Sequence, residues 1–263
     1  MEKSAKDPIL TSMSDQVLTV SINRPEARNA LRVSDKQRIT AIVSEAATAG
    51  ARCIVITGVG EHAFCAGSDL KEMAGMDIET CVAMQEAESE MYNSIMRSAI
   101  PVLAAVHGWA LGTGCVLAAA CDLVFADSSA KFGQPEILNG APTPIHGALL
   151  PHVIGLNRAR WLVLTGRTID AVLAEQWGLV TRLTAENEAL SSAVELATEM
   201  TRTIHPTSMA LQKRIVDSWV RYPFDAAVAG SMYIAASSYG SQWPQSAAER
   251  MHGRELQETR AEL

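Results

Sequence analysis

From Pro101 to Cys121 the chain reads PVLAAVHGWALGTGCVLAAAC, and no Asp, Glu, Lys or Arg occurs anywhere between Ala99 and Cys121. By length alone such a stretch could cross a bilayer. Its punctuation reads differently: residues 101–106 form an apolar run of strand length, residues 108–114 a glycine-rich turn, and residues 115–120 a helical run of small residues. The segment therefore reads as buried core. Similar strand-turn-helix units flank it. Val17 to Ile22 alternates as a strand that Asn23-Arg24-Pro25 ends, and Ser34 reads as the N-cap of a helix through Ala49 that Gly50 closes. A second strand covers residues 53–58. A helix over 84–97 carries Met84, Ala87, Met91 and Ile95 on one face, and residues 123–126 read as a further strand. This repetition places the chain in the α/β class.

After Gly140 the pattern turns helical. Helices are expected over 155–165 and up to Trp177 behind an Asp170 cap, followed by a short strand at 180–183 and a long helix over 185–204. His205-Pro206 breaks the chain before helices at 207–220, 226–237 and 246–257. That strandless end reads as a helical appendage that packs on another subunit, giving a core over 1–204 and a helical oligomerisation region over 205–263. The 263 residues are 48% hydrophobic and 19% charged, the balance of a soluble globular chain. A net charge of −7, with 22 basic residues scattered among 29 acids, argues against a nucleic-acid surface. Five cysteines without a CxxC pair, and a polar start without an apolar signal core, point to reduced thiols in a cytoplasmic protein.

Two glycine turns each follow an apolar strand and precede a helical pattern. They are Ala63-Phe64-Cys65-Ala66-Gly67-Ser68-Asp69-Leu70-Lys71 and His107-Gly108-Trp109-Ala110-Leu111-Gly112-Thr113-Gly114. A turn feeding a helix N-terminus presents N–H groups that have no intrahelical acceptor and are ready donors to an anion. Either turn alone is chain reversal; two facing each other make an oxyanion hole. Gly112-Thr113-Gly114 also begins a GxGxxG dinucleotide pattern, but Leu117 stands at the third glycine and Glu136 follows Pro135 in a turn rather than ending a strand. In Lys131 to Gly140 (KFGQPEILNG), Gly133 and Pro135 hold a bend that sets Glu136 beside Ile137 and Leu138. Desolvation by those neighbours would raise its pKa toward neutrality, where a general base works best.

Four blocks then carry a family resemblance: Asn23 to Leu31 (NRPEARNAL), Phe64 to Met73 (FCAGSDLKEM), Pro101 to Gly108 (PVLAAVHG) and Phe132 to Gly140 (FGQPEILNG). With Leu164-Thr165-Gly166 and Trp177-Gly178-Leu179-Val180 they resemble the crotonase superfamily, or enoyl-CoA hydratase/isomerase family, over residues 17–220. The resemblance implies a crotonase (ClpP-like) spiral of repeated ββα units with a C-terminal helical trimerisation region, assembled as a homotrimer or a hexamer. It implies an acyl-CoA substrate, with coenzyme A entering as part of the thioester and no permanently bound cofactor, nucleic acid or membrane partner. Carried over by position, the Ser68 and Thr113 amides hold the thioester oxygen while Glu136 transfers protons. Ala66 and Ser68 border the adenine pocket and Lys71 meets the CoA phosphates; Asp69, Leu70, Gly112, Val116 and Pro144 complete the substrate-binding set. Removing a proton α to a thioester puts charge on oxygen, and each preorganised donor contributes roughly 3 kcal/mol there.

Departures from the family pattern bear on the reaction. Two-glutamate hydratases carry a carboxylate two residues beyond the last turn glycine, where this chain has Val116. One carboxylate suffices to move a double bond, taking a proton at C2 and returning it at C4, whereas hydration also needs activated water. Isomerisation is favoured on that ground, and hydration stays open because single-glutamate members of the family catalyse it. Ala141 to Gly147 (APTPIHG) replaces a glycine-rich run; Pro144 removes a backbone donor, and His146 is a candidate second acid/base group. Residues 147–160 are also similar to crotonase-like β-diketone hydrolases, which cleave C–C bonds without CoA and use histidine near the position of Glu136. A non-catalytic acyl-CoA-binding homologue is the remaining alternative. No His, Asp, Glu and Cys spacing reads as a metal site, and Ala66-Gly67-Ser68-Asp69 lacks the glycine that a nucleophile elbow needs after its serine.

Overall fold

A computed structural model describes residues 7–143, 145–241 and 243–246. The chain divides into two compact units, one ending at Arg202 and the other starting at Thr203. The first opens with an antiparallel hairpin of β1 (Ile9–Ser14) and β2 (Val17–Ile22). Helix α1 (Val33–Ala46) then returns the chain to β3 (Cys53–Gly58), which lies parallel to β2. From there a long strand in one sheet is followed by a three-residue strand in another. β3 leads to β4 (Ala63–Cys65), then α2 (Leu70–Met73) and α3 (Ile78–Met96). β5 (Val102–Val106) leads to β6 (Trp109–Leu111) and α4 (Thr113–Ala120), and β7 (Leu123–Asp127) to β8 (Lys131–Gly133). Helices α5 (Leu150–Ile154) and α6 (Leu156–Thr165), β9 (Thr168–Asp170), α7 (Ala171–Trp177), β10 (Arg182–Thr184) and α8 (Ala189–Thr203) follow.

The large sheet runs β1-β2-β3-β5-β7-β10 and the small one β4-β6-β8-β9. Parallel neighbours require a crossover: the β2–β3 connection carries α1 alone, whereas the β3–β5, β5–β7 and β7–β10 connections each add strands to the small sheet as well as helices. This is the expected repetition of ββα units. Strands with helices on their faces are hydrophobic along their length, and all five residues of β5 are buried. All eight residues of α4 are buried as well, and such a helix belongs in a core. The uncharged stretch is therefore interior, and no helix among the described residues is long and apolar enough to cross a membrane.

Several boundaries differ from the sequence reading for local reasons. α1 starts at Val33 because Asp35 accepts a hydrogen bond from the Arg32 amide at 3.0 Å, ahead of the expected Ser34 cap. α3 starts at Ile78, two turns early, because the Asp77 carboxylate accepts from the Thr80 amide at 2.9 Å. The turn read over 108–114 contains β6, whose three residues pair with β4 and β8. In the second unit α9 (Pro206–Arg221) and α10 (Phe224–Ser237) pack on each other, leaving Trp219, Tyr222, Phe224, Met232 and Tyr233 exposed. The helix read over 246–257 lies outside the described residues beyond Ser246.

Residues 23–31, between β2 and α1, form a strap that fixes the first glycine turn. Asn29, buried at φ 57°, donates from Nδ2 to the carbonyls of Val59 (3.0 Å) and Ala63 (2.6 Å), while its Oδ1 accepts from the Arg24 amide at 3.0 Å. Leu31 then bridges Ser68: its amide donates to Gly67 O at 2.8 Å and its carbonyl accepts from Asp69 N at 3.0 Å. Replacing Asn29 by alanine leaves two carbonyls without that donor and keeps an unfavourable positive φ. The expected loss of unfolding free energy is about 2–3 kcal/mol, read from urea denaturation.

Candidate active site

Gly112, at φ 52° and ψ −119°, is the point where both glycine turns meet Glu136. Its amide donates to Gly133 O at 2.9 Å and its carbonyl accepts from Gln134 Nε2 at 3.1 Å, which ties the turn to the end of β8. A Cβ on Gly112 would lie 2.5 Å from Glu136 Oε1 and 4.0 Å from Gly67 Cα. A Cβ on Gly114 would run into the Cys65 carbonyl, so the first turn of α4 rests directly on the end of β4. Two segments 45 positions apart are thereby brought side by side, as the 2.9 Å approach of Ser68 Oγ to Thr113 Oγ1 records.

The two amides named from the sequence stand at this junction. Thr113 is the first residue of α4, so its N–H has no intrahelical acceptor, and the partial positive end of the helix reinforces it. In the Leu31–Ser68 bridge it is Gly67 O and Asp69 N that pair, which leaves the Ser68 N–H outside the ladder. Neither amide has an acceptor among the described residues.

Glu136 sits in a short 3-10 turn, Pro135–Asn139, immediately after β8. It is half-buried, and burial raises its carboxyl pKa; the nearby Glu88 carboxylate raises it further, while its own amide and Thr143 act the other way. Thr143 Oγ1 lies 3.5 Å from Oε2. Ile137 and Leu138, expected to desolvate Glu136, are themselves 44% and 68% exposed, while the carboxylate packs against the Gly112 turn.

The remaining sequence candidates fall in distinct places. The Ala66 amide donates to Arg28 O at 3.0 Å, within the strap contact. Asp69 is buried: that burial opposes its charge, but the Arg24 guanidinium at 2.8 Å and the Lys71 amide at 2.9 Å hold its carboxyl below the usual value. Its carboxylate thus caps α2 and anchors the strap. Leu70 and Lys71 are exposed on α2, and Val116 is buried in the apolar core one turn beyond Thr113. His146 packs against Tyr92 with ring centroids 4.9 Å apart and the ring planes tilted by 50°. Pro144 lies outside the described residues. Cys65 and Cys115 lie close by, but burial pushes both thiols up to about 12, which keeps them protonated and unreactive. The sequence reading missed Lys36, Glu88 and Tyr92, which are buried around the side chains of Ser68 and Thr113.

Comparison with known proteins places this geometry among relatives. The family model for enoyl-CoA hydratase/isomerase matches residues 12–229. A short-chain-enoyl-CoA hydratase of Clostridium acetobutylicum is 31% identical over 224 residues, covering 84% of this chain and 85% of that protein. A probable enoyl-CoA hydratase of Mycobacterium leprae is 38% identical over 198 residues, covering 74% of this chain and 76% of its own. Among solved structures, an enoyl-CoA hydratase subunit of Geobacillus kaustophilus superposes with a TM-score of 0.88 at 29% identity, over 95% of this chain and 97% of that one.

The crowding at Gly112 makes a direct prediction. Gly112→Ala combines a positive φ with a Cβ inside contact distance of the Glu136 carboxylate. The crystal structure of that variant is expected to show Glu136 displaced, and thermal unfolding a loss of about 1–2 kcal/mol.

Proposed function

Because this chain belongs to the enoyl-CoA hydratase/isomerase family, we propose that it binds an enoyl-CoA thioester with its carbonyl oxygen between the Ser68 and Thr113 amides and moves protons with Glu136. The observation that carries the reading is the Glu136 carboxylate packed against Gly112, one residue before the Thr113 N–H. A thioester oxygen held by that amide brings its α carbon toward the carboxylate. As Glu136 takes a proton from C2, the electrons of that C–H bond move into the enolate and negative charge gathers on oxygen. Two preorganised donors there stabilise it, each by about 3 kcal/mol. The same carboxyl group returns the proton at C4, which converts a 3-enoyl into a 2-enoyl thioester with no change of mass.

Isomerisation needs this single acid/base group, and apolar, buried Val116 offers none at the position of a second carboxylate. Hydration is the second reading, supported by the hydratase names of the relatives reported above. It requires Glu136 to activate water and then protonate C2. The exposed aromatic side chains of α9 and α10 support assembly with further copies of the chain, as a homotrimer or a hexamer.

Incubation with 2-enoyl-, 3-enoyl- and 3-hydroxyacyl-CoA thioesters, followed by mass spectrometry and chromatography, separates these reactions. An isomer of unchanged mass marks isomerisation and a gain of water marks hydration; consumption of a free β-diketone in place of any thioester would refute the proposal. Glu136→Gln is expected to abolish turnover while thioester affinity, measured by calorimetry, stays within about threefold, as when a group acting in the transition state alone is lost. Glu136 must be anionic to accept a proton, and its pKa is raised, so kcat/KM should fall with decreasing pH through a value above that of an ordinary glutamate. A profile flat down to the ordinary range would contradict this.

A further inference from the structure

Behind the two amides lies a buried ionic cluster with no part in the proton transfer just described. Lys36 of α1 is fully buried and donates to Glu88 Oε2 of α3 at 2.6 Å and to Ser68 Oγ at 2.8 Å. The same glutamate oxygen accepts from Ser68 Oγ at 3.2 Å and from Thr113 Oγ1 at 3.0 Å. Tyr92 OH donates to Glu88 Oε1 at 2.8 Å and lies 3.2 Å from the Thr113 carbonyl. One carboxylate thus holds the side chains of both residues whose amides face the thioester oxygen.

Stability alone does not account for such an arrangement. Taking a lysine and a glutamate out of water is costly, and apolar residues of similar volume commonly serve a core as well or better. The cluster instead does something apolar packing cannot: it joins two loops from different ββα units through directional bonds. We infer that Glu88 is a positioning residue for the oxyanion hole, fixing the Ser68 and Thr113 amides through their hydroxyl groups, with Lys36 neutralising it so that no bare anion stands behind the charge developing on the substrate. This rests on the function proposed above and adds α1 and α3 to the machinery of that site.

Ionised Glu88 also acts on Glu136, whose carboxyl it raises in addition to the larger effect of burial. The groups facing these carboxylates are Lys36 from α1, Tyr92 from α3, Cys65 from β4, Cys115 from α4, and Thr143 from the loop after Glu136. Losing the Glu88 charge alone lowers the Glu136 pKa, but losing Lys36 with it removes an opposite charge, so the discriminating readout is kcat against KM. A role confined to folding would lower the melting temperature and leave kcat of the folded protein in place.

The test is the neutral pair Lys36→Met with Glu88→Gln, which strands no buried charge, assayed on whichever thioester the wild-type protein turns over. The expected result is a fall in kcat of about tenfold to a hundredfold, less than outright loss of a hole donor, with KM changed about twofold. Ser68→Ala with Thr113→Val keeps both amides and both loops but removes the grip, so it tests the same idea should the first variant fail to fold. It should lower kcat comparably, and where both can be made the combined losses should be far from additive. Unchanged kcat in a folded variant overturns this inference alone. A wild-type protein that turns over no thioester brings down the proposed function and this inference with it.

Discussion

The site depends on two missing side chains. Without a Cβ at Gly114, α4 can set its first turn against the Cys65 carbonyl; without one at Gly112, the Glu136 carboxylate can lie flat against the backbone that leads into that turn. These contacts leave no slack. They put the N-terminal amide of a buried helix, the end of a neighbouring short strand and a carboxylate from a third unit within a few ångströms of one another. The parallel order of the small sheet delivers the three segments side by side, because β4, β6 and β8 are adjacent and all point the same way, with a register shift between Ala63 and Cys65 of β4.

Charge around this junction is partitioned by environment. Asp69 and Glu136 both lie near the glycine turns, but Asp69 meets a guanidinium and a helix amide and keeps its proton off, whereas Glu136 meets a weakly donating threonine hydroxyl and another carboxylate. The first is therefore a strut, and the second, with its pKa raised, is the one suited to exchanging a proton. The Lys36–Glu88 pair follows a third pattern, in which opposite charges meet directly and both carboxylate oxygens accept from neighbouring side chains.

How much of this could be read from the sequence depended on length and periodicity. β2 and β3 lie where alternation, apolar runs and bounding turn residues put them, and Pro206 starts α9 where the chain was expected to break. The three-residue strands could not be seen that way, since fewer than two periods of alternation carry no signal and only tertiary pairing defines them. The glycine turns and Glu136 stood out because their residue types have specific backbone and acid/base uses. Lys36 and Glu88 did not stand out, although each falls on the apolar stripe of its helix: Lys36 with Ile39 and Val43, Glu88 between Met84 and Tyr92. Opposite charges on the buried faces of two helices were the available signal, and it becomes decisive only when those helices are known to pack together. Ile137 and Leu138 mislead in the opposite sense, because apolar neighbours in sequence point outward when a 3-10 turn rotates them away from the carboxylate.

Glu136 reaches the junction from a 3-10 turn, outside any strand ladder, whereas the two amides are pinned by sheet pairing and by helix packing. Residues 137–143 lie outside both sheets, so changes there cost the strand frame little. Such a layout separates a rigid frame from a stretch free to vary, and different chemistry becomes accessible by descent through changes outside that frame.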